Sequence, residues 1–221
     1  YFTAARERMT KLAVGTGVQD EAISTQEDVV AAADADDAAQ ASLDLGDMHA
    51  GSGNFKKAAE AYRQAAAAAG DQEEAVAAYR KLIDVLDSKQ KDYQGAANAL
   101  EELMEKYPDA PGTGDLVYRL GRIYEQDLDS MKKTTTVDGR VRYRKSAENV
   151  EKALNYYNSV TEKYPDADVS ADAFLRKGEL YEKELRDYDQ ARKSYQEFLR
   201  RFPRHEQSSA IREKLRDIEG Y

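Results

Sequence analysis

Residues 93–108 of the 221-residue chain read YQGAANALEELMEKYP, and this stretch decides the fold. Its apolar residues recur at spacings of three and four, as they do along one face of a helix, and a proline ends the run. Starting from the small residue Ala96, the pattern places Leu100 four positions on, Leu103 seven positions on and Pro108 twelve positions on. The sequence therefore predicts a short amphipathic helix with a proline stop.

The same pattern returns further along the chain. Ala153 is followed by Pro165, and Ala191 by Pro203, again at a distance of twelve residues, with an aromatic residue before each proline. A further copy, which begins at Ser42 and is one residue shorter before Phe55, places Gly70 twelve residues after Ala58, where the others have proline. Recurrence at a fixed spacing is the sequence signature of a repeat protein.

A second helical pattern precedes each of these segments. It carries a small residue at Gly46, Gly121 and Gly178, and Ile83 in the remaining copy. Each copy is therefore expected to form two antiparallel helices joined by a short polar turn, with the small residues allowing close approach. One such hairpin cannot bury its apolar face alone, so neighbouring copies must stack. The prediction is an all-α solenoid with no strand required by the repeat.

These residues resemble the tetratricopeptide repeat family. The resemblance implies a right-handed superhelical solenoid of antiparallel helical hairpins, used as a protein-protein interaction scaffold or adaptor. It also implies that a partner peptide or helix binds the concave face, which the first helices line. The predicted single domain, 1–221, divides into a degenerate repeat or N-terminal helices at 1–36, repeats at 38–70, 76–110, 114–167 (with an insertion at 125–149) and 171–204, and a capping helix at 206–219.

The link between repeats is longer than usual. Ala58 and Ala96 are 38 residues apart, as are Ala153 and Ala191, whereas the usual period is about 34. A Tyr-Pro-Asp-Ala ending followed by this link resembles repeats of bacterial envelope proteins, such as the Tol-Pal coordinator and the repeat lipoprotein of the outer-membrane assembly machinery. That likeness implies a cell-envelope complex in the bacterial periplasm or at the outer membrane. The alternative is a cytoplasmic or motor-associated adaptor. Because the chain starts without Met, we expect a processed or excised part of a longer protein.

Composition argues against several function classes. The 33 Lys and Arg against 42 Asp and Glu give a net charge of −9, which disfavours a general nucleic-acid surface. The mean hydropathy is −0.81, and no apolar run could span a bilayer. The chain has no Cys and only two His, and it lacks a Gly-rich phosphate loop and the His-Glu-x-x-His and Gly-x-Ser-x-Gly motifs. We therefore expect no metal, no cofactor and no catalytic residues, and hence no enzyme. His49 holds the position of Leu86 in the next copy, so we expect a packed core histidine.

The resemblance also suggests which residues face a partner. Positions between the core residues of the first helices carry several arginines, and Arg forms paired hydrogen bonds with carboxylates. An acidic peptide or a free C-terminus is the expected ligand, and an ordinary solvated charged surface is the alternative. The carboxylate clamp of co-chaperones in this family is incomplete here, because Leu43 and Asp47 replace its Lys and Asn. The candidates are Arg80, Lys81, Asp84, Tyr118, Arg119, Arg122, Arg176 and Glu179.

Nineteen additional residues interrupt one repeat between its two helices. β-Favouring residues around an Asp138-Gly139 turn predict a hairpin near 134–143; the alternative is a loop between longer helices. Residues 131–145 hold six bases and one acid, whereas residues 12–55 hold nine acids and no Lys or Arg. The insertion is therefore a candidate contact for an acidic partner, such as a second copy in a homo-oligomer, or for a polyanion or lipid headgroup. Its candidate contact residues are Lys132, Lys133, Arg140, Arg142, Arg144 and Lys145.

Overall fold

The computed structural model describes residues 16–34, 37–126, 132–135, 141–144 and 147–218. The chain forms two compact units, Tyr1–Ala110 and Pro111–Tyr221. Each unit is described by itself below.

Helical hairpins build the described part of the first unit. A single helix, α1, precedes two hairpins, and the first helix of the second hairpin continues as a π-helical turn. The elements are α1 (Thr16–Ala32), α2 (Ala38–Gly51), α3 (Phe55–Ala68), α4 (Gln72–Asp84), the π-helical turn Val85–Gln90, and α5 (Tyr93–Lys106).

The second unit repeats this arrangement, adds two short strands between the helices of its first hairpin and closes with one more helix. Its elements are α6 (Thr113–Gln126), β1 (Lys132–Thr135), β2 (Val141–Arg144), α7 (Ala147–Lys163), α8 (Ser170–Glu179), the π-helical turn Leu180–Leu185, α9 (Tyr188–Arg201) and α10 (Ser208–Ile218).

A glycine on the first helix faces a tyrosine on the second in three of the four hairpins. The ring occupies the space that a side chain on the glycine would need, which explains the small residue at this position. All three tyrosines are buried. A Cβ atom would lie 2.4 Å from Tyr62 Cε1 at Gly46, 2.5 Å from Tyr157 Cε1 at Gly121, and 2.2 Å from Tyr195 Cε1 at Gly178.

Prolines follow the second helices, as the sequence predicts. Helix α5 ends at Lys106, two residues before Pro108, and α7 and α9 end at the same distance before their prolines. Proline removes a backbone donor and disfavours the helical conformation in the preceding residue.

The π-helical turns accommodate one residue that the first hairpin lacks. His49 and Phe55 are six residues apart, whereas Tyr181 and Tyr188, at equivalent positions, are seven apart. The Asp187 amide accordingly reaches back six residues, to the Tyr181 carbonyl, at 2.8 Å. In the first hairpin the corresponding bond, from Asn54 to the His49 carbonyl, spans five residues.

Helix α1 packs on the first hairpin through a small apolar cluster of Ile23, Leu45 and Ala61. The buried Gln26 amide donates to the carbonyl of Ala41 at 2.9 Å. His49 is 3% exposed, which confirms the core histidine. Burial, and to a lesser degree the charge of Lys57, lowers the pKa of His49.

Helix α10 covers the last hairpin of the second unit. Its Ile211, Leu215 and Ile218 are buried in one cluster with Phe174 and Phe198 of α8 and α9. The sequence places these three residues on one helical face, and the structure buries that face.

The insertion contains a two-stranded antiparallel sheet. Its strands pair Lys132 with Arg144 and Thr135 with Val141. The flanking helices end at Gln126 and resume at Ala147, so α7 starts three residues before Val150, where the repeat pattern resumes. The predicted turn at 138–139 lies outside the described residues.

The prediction of an all-α solenoid of tetratricopeptide type is confirmed, and the two strands among the described residues lie in the insertion. Within the described segments, every helix is too short or too polar to cross a membrane. The division into repeats and cap at the predicted bounds stays a prediction.

Candidate functional site

The first helices of the second unit carry most of the candidate residues. We define the α6–α8 face by Tyr118, Arg119 and Arg122 on α6 and Arg176 and Glu179 on α8. Tyr118, Arg122 and the neighbouring Glu125 recur at spacings of three and four, so they share one side of α6. Tyr118, Arg119 and Arg122 are all half-buried.

Arg176 is held by two carboxylates. Its Nη1 lies 3.5 Å from Glu125 Oε1 and 3.4 Å from Glu179 Oε2. Burial lowers the pKa of Arg176, but Glu125 and Glu179 outweigh it, and a hydrogen bond with Tyr118 adds to them, so the pKa is raised. Arg176 is thus a partly neutralised cation that joins α6 to α8.

Glu125 also binds the buried tyrosine behind it. The Tyr157 hydroxyl donates to Glu125 Oε2 at 2.7 Å, and its ring lies 5.5 Å from the ring of Tyr118. Burial and the adjacent Glu125 raise the pKa of Tyr157, so the hydroxyl keeps its proton and remains a donor. Glu125 is only 12% exposed. One of its oxygens accepts the hydrogen bond from Tyr157, and the other pairs with Arg176.

Arg122 differs from Arg176. Its Nε is buried without a hydrogen-bond partner among the described residues. Leaving a buried charged donor unsatisfied costs free energy that a ligand with an acceptor oxygen would recover. Arg122 as a whole is only half-buried, so a ligand carboxylate would reach this nitrogen if the side chain turned outward.

The candidates of the first unit make internal contacts. Lys81 Nζ lies 2.8 Å from Asp47 Oδ1, and the same oxygen accepts from the Tyr62 hydroxyl at 2.7 Å. Arg80 and Asp84 are exposed on α4. Lys81 thus pairs with the acid that replaces the expected Asn of the clamp.

One polar contact recurs three times among the described residues and does not follow from the repeat pattern. In each case a tyrosine on a second helix donates to an acid on the first helix of its hairpin, and a base from the following first helix or from the cap pairs with that acid. We call this the tyrosine–acid–base contact. Its members are Tyr62, Asp47 and Lys81; Tyr157, Glu125 and Arg176; and Tyr195, Glu182 and Lys214.

A glycine opposite a tyrosine indicates in the sequence where the tyrosine hydroxyl lies. The acid that accepts from this hydroxyl has no comparable signal. It lies one residue after the glycine at Asp47 and four residues after it at Glu125 and Glu182. Long side chains reach the same point from either position, so no single spacing marks the contact.

The strands of the insertion include four of its six candidate bases, namely Lys132, Lys133, Arg142 and Arg144. Arg140 and Lys145 lie outside the described residues. The cross-strand register places Lys132 directly opposite Arg144 and Thr134 opposite Arg142.

Lys177 is engaged in the packing of the second unit. Lys177 lies 5.4 Å above the Phe174 ring and 3.4 Å from the Thr161 hydroxyl, and burial lowers its pKa. In the described segments, no group of three or more His, Cys, Asp or Glu side chains is arranged to hold a metal ion.

Two family models of the tetratricopeptide repeat match the chain. One matches residues 85–110, 115–167 and 172–205, and the other matches residues 20–73. The chain therefore belongs to the tetratricopeptide repeat family, and this membership supports a protein-protein interaction scaffold. No curated protein sequence matches it.

Solved structures share the fold at low identity. A MamA protein is 20% identical with a TM-score of 0.55, over 90% of this chain and 88% of MamA. YrrB, described as a TPR protein with an unusual peptide-binding site, is 16% identical with a TM-score of 0.54, over 88% and 84%. A tetratricopeptide repeat protein from Parabacteroides merdae is 15% identical with a TM-score of 0.58, over 99% and 73%. These likenesses concern the fold alone.

Proposed function

We propose that this chain is a non-catalytic scaffold that holds a carboxylate-bearing segment of a partner protein on the α6–α8 face. The observation that carries the proposal is the buried Nε of Arg122, which has no hydrogen-bond partner in the described part of the chain. A carboxylate on the ligand would supply the missing acceptor in a partly desolvated place, where such bonds are strongest.

The neighbouring residues would shape the site. Arg176 is committed to Glu125 and Glu179, so we assign it a positioning role instead of a direct contact. The half-buried ring of Tyr118, which packs against the buried ring of Tyr157, provides an aromatic contact on the same side of α6 as Arg122. Peptide binding by the same fold is described for YrrB, and we extend that kind of ligand to this chain as part of the proposal.

A peptide selection tests this function. Random ten-residue peptides with free C-terminal carboxylates are selected on the chain of residues 1–221, and the selected peptides are measured by fluorescence anisotropy. We expect enrichment in Asp and Glu, and at least a tenfold loss of affinity in Arg122→Glu, equivalent to about 1.4 kcal/mol.

The matched control is Arg216→Glu, which makes the same charge change on the exposed side of α10. Equal losses in both variants would mean that only net charge matters. Selection of peptides without acidic residues would contradict the proposal.

We further propose a place in a bacterial cell-envelope complex, at the periplasm or outer membrane. The support is the Tyr-Pro-Asp-Ala ending with its longer link, as in residues 107–110 and 164–167. Fractionation of tagged native protein tests the location: recovery with the periplasmic or outer-membrane fraction is expected, and recovery in the cytoplasm would favour the cytoplasmic adaptor.

A further inference from the structure

An open cavity of about 460 Å³ lies between α7, α8 and α9 of the second unit, and we call it the α7–α9 cavity. On α8, Arg176 pairs with Glu125 of α6. The next residue, Lys177, is rotated by about 100° around the helix axis, and its ammonium reaches Thr161 of α7. The cavity and the α6–α8 face therefore use different sides of α8. Polar side chains in the lining of the cavity are Asn158, Lys177, Tyr181, Gln190, Lys193 and Glu197.

The ammonium group of Lys177 has little to compensate for its burial. Among the described residues, it donates one long hydrogen bond, of 3.4 Å to the Thr161 hydroxyl, and forms no ion pair with a carboxylate. Its other contact is the Phe174 ring, 5.4 Å away. Burial lowers the pKa of Lys177, and the charges of Glu162 and Glu197 oppose this only in part. An anion in the cavity would supply the missing charge and hydrogen bonds.

Glu197, an acid in the lining of the cavity, is already neutralised. One oxygen accepts from Arg200 Nε at 2.8 Å, and the other accepts from Arg201 Nε at 2.8 Å. These two arginines lower the pKa of Glu197 to about 2. Lys193, one turn before Glu197 on α9, is exposed beside the cavity. Lys177 and Lys193 therefore give the cavity a net positive charge.

The hydrogen-bond donors around the cavity suit a phosphate group. A phosphate monoester carries about 1.5 to 2 negative charges at pH 7 and has three acceptor oxygens. Two lysines match this charge, and Lys binds phosphate as a point charge, whereas the flat, paired recognition of a carboxylate favours Arg. The donors are the Asn158 amide of α7, the Lys177 ammonium of α8, the Tyr181 hydroxyl of the following π-helical turn, and the Gln190 amide and Lys193 ammonium of α9.

We propose that the α7–α9 cavity binds a small organic molecule through its phosphate monoester, with Lys177 and Lys193 contacting the phosphate oxygens. The cavity volume lies within the range of about 300 to 1,000 Å³ that is usual for small-molecule sites. It exceeds what a phosphate ion fills, so the organic part of the ligand also makes contacts. This site is independent of the α6–α8 face, and Arg122→Glu should leave phosphate binding unchanged.

Isothermal titration calorimetry of the chain of residues 1–221 tests the proposal. The ligands are phosphoserine, glycerol phosphate, glucose 6-phosphate and adenosine monophosphate, compared with serine, glycerol, glucose, adenosine, inorganic phosphate and succinate. We expect at least one ester to bind with a dissociation constant below about 1 mM, and every comparison compound to bind at least about tenfold more weakly. If no ester binds this tightly, the proposal is overturned. Equally tight binding of succinate would overturn the choice of phosphate.

Three lysine substitutions locate the site. Lys177→Gln should weaken binding of the ester at least about tenfold, and Lys193→Gln at least about threefold, because each removes a charged donor. Lys193 is exposed, so a loss in its variant cannot be attributed to unfolding. Lys183→Gln is the matched control, since Lys183 pairs with Glu179 outside the cavity, and it should change binding less than about twofold. Equal effects of all three variants would refute the assignment to the cavity.

Amine labelling gives a second, direct readout. A bound ester should slow acetylation of Lys177 by acetic anhydride at least about fivefold, because the anion covers the amine and favours its protonated form. Acetylation of Lys183 should stay unchanged, and mass spectrometry of the peptides measures both. Unprotected Lys177 would overturn the location even if an ester binds. A phosphoserine peptide that binds at least about tenfold more tightly than the free esters, with the same dependence on Lys177, would replace the small molecule with a phosphorylated protein.

Discussion

The two hairpins of the first unit fill equivalent positions between their helices in opposite ways. In α2 and α3, Gly46 leaves room for the Tyr62 ring, whereas α4 and α5 carry Ile83 and Leu100 at these positions. Ile83, Leu100 and Tyr62 are all at most 3% exposed. The comparison shows that the repeat needs a filled volume there, and that either helix can supply most of it.

The two solutions differ in what they do with polar groups. The Tyr62 hydroxyl reaches Asp47, which Lys81 of the next hairpin also binds. In α4 and α5 the tyrosine is Tyr79 on the first helix, and its hydroxyl donates to Glu102 of the same hairpin at 2.6 Å. The Tyr62 hydroxyl therefore takes part in a polar contact between hairpins, whereas the Tyr79 hydroxyl bonds to an acid within its own hairpin.

The largest effect should come from adding one methyl group at the glycine. Gly46→Ala would place a Cβ 2.4 Å from the buried Tyr62 ring. An overpacking cost of about 3 kcal/mol should exceed the gain of about 1 kcal/mol in helix propensity, for a net loss of about 2 kcal/mol in the free energy of unfolding. Urea denaturation measures it.

Gly51→Ala on the same helix is the control, since a Cβ there has nothing within 4 Å. It should leave stability unchanged or raise it by up to about 1 kcal/mol. In a Tyr62→Leu background, Gly46→Ala should become stabilising, because the ring that opposes the methyl group is gone. If Gly46→Ala still destabilised the protein in the Tyr62→Leu background, a group other than the tyrosine ring would oppose the methyl group.

The next largest loss of stability should come from removing a buried tyrosine hydroxyl. Tyr157→Phe removes the donor to Glu125, which is only 12% exposed and keeps Arg176 as its other partner. We expect a loss of about 1 to 2 kcal/mol, typical of a hydrogen bond to a charged group. Tyr79→Phe should cost less than about 1 kcal/mol, since Glu102 is 48% exposed and retains Lys106. Equal losses in denaturation would argue against the difference drawn between the hairpins.

The register of the helices could be predicted because it follows from residue size and spacing. The glycines opposite large residues, the proline stops and the apolar face of α10 were all visible as periodic patterns. The sequence also shows that His49 and Phe55 are one residue closer together than Tyr181 and Tyr188. It does not show that a π-helical turn holds the additional residue, because that depends on backbone hydrogen bonds.

The ion pairs of the candidate site could not be predicted in the same way. Spacing assigns Arg176 and Glu125 to helix faces, but several rotatable bonds separate each charge from its backbone, and more than one partner is within reach. Arg176 is thus paired internally, whereas Arg122, on the same face by the same register, has an Nε without a hydrogen-bond partner among the residues that the structure describes. Only the structure distinguishes the two.

His49 and Leu86 occupy equivalent positions in the two hairpins of the first unit. The pKa of His49 is lowered, first by burial and then by Lys57, against the opposing charges of Glu27 and Glu60. In the unfolded chain the pKa of His is about 6.5. Below this pH the unfolded chain therefore binds more protons than the folded chain. Stability should therefore fall as the pH drops below about 6.5.

His49→Leu should remove this dependence. When the pH is lowered from 7.5 to 5.5, wild type should lose up to about 1 kcal/mol more of its unfolding free energy than the variant loses. Urea denaturation at the two pH values measures the difference. Parallel losses in both proteins would assign the acid sensitivity to other groups.

The smallest effect lies in the turns between the helices, where the hairpins again differ. Gly53 has a φ of 76°, and Lys91 and Arg186 adopt nearly the same conformation, with φ of 58° and 57°. A residue with a side chain pays about 1 to 2 kcal/mol for this left-handed region, while glycine loses about 0.5 to 1 kcal/mol more chain entropy on folding. Arg186→Gly should therefore stabilise the protein by about 0.5 kcal/mol, and Gly53→Lys, with nothing within 4 Å of its added Cβ, should destabilise it by a similar amount. Urea denaturation with unchanged m-values would show both effects. A loss of stability in Arg186→Gly would mean that its side chain contributes more to the turn than its backbone conformation costs.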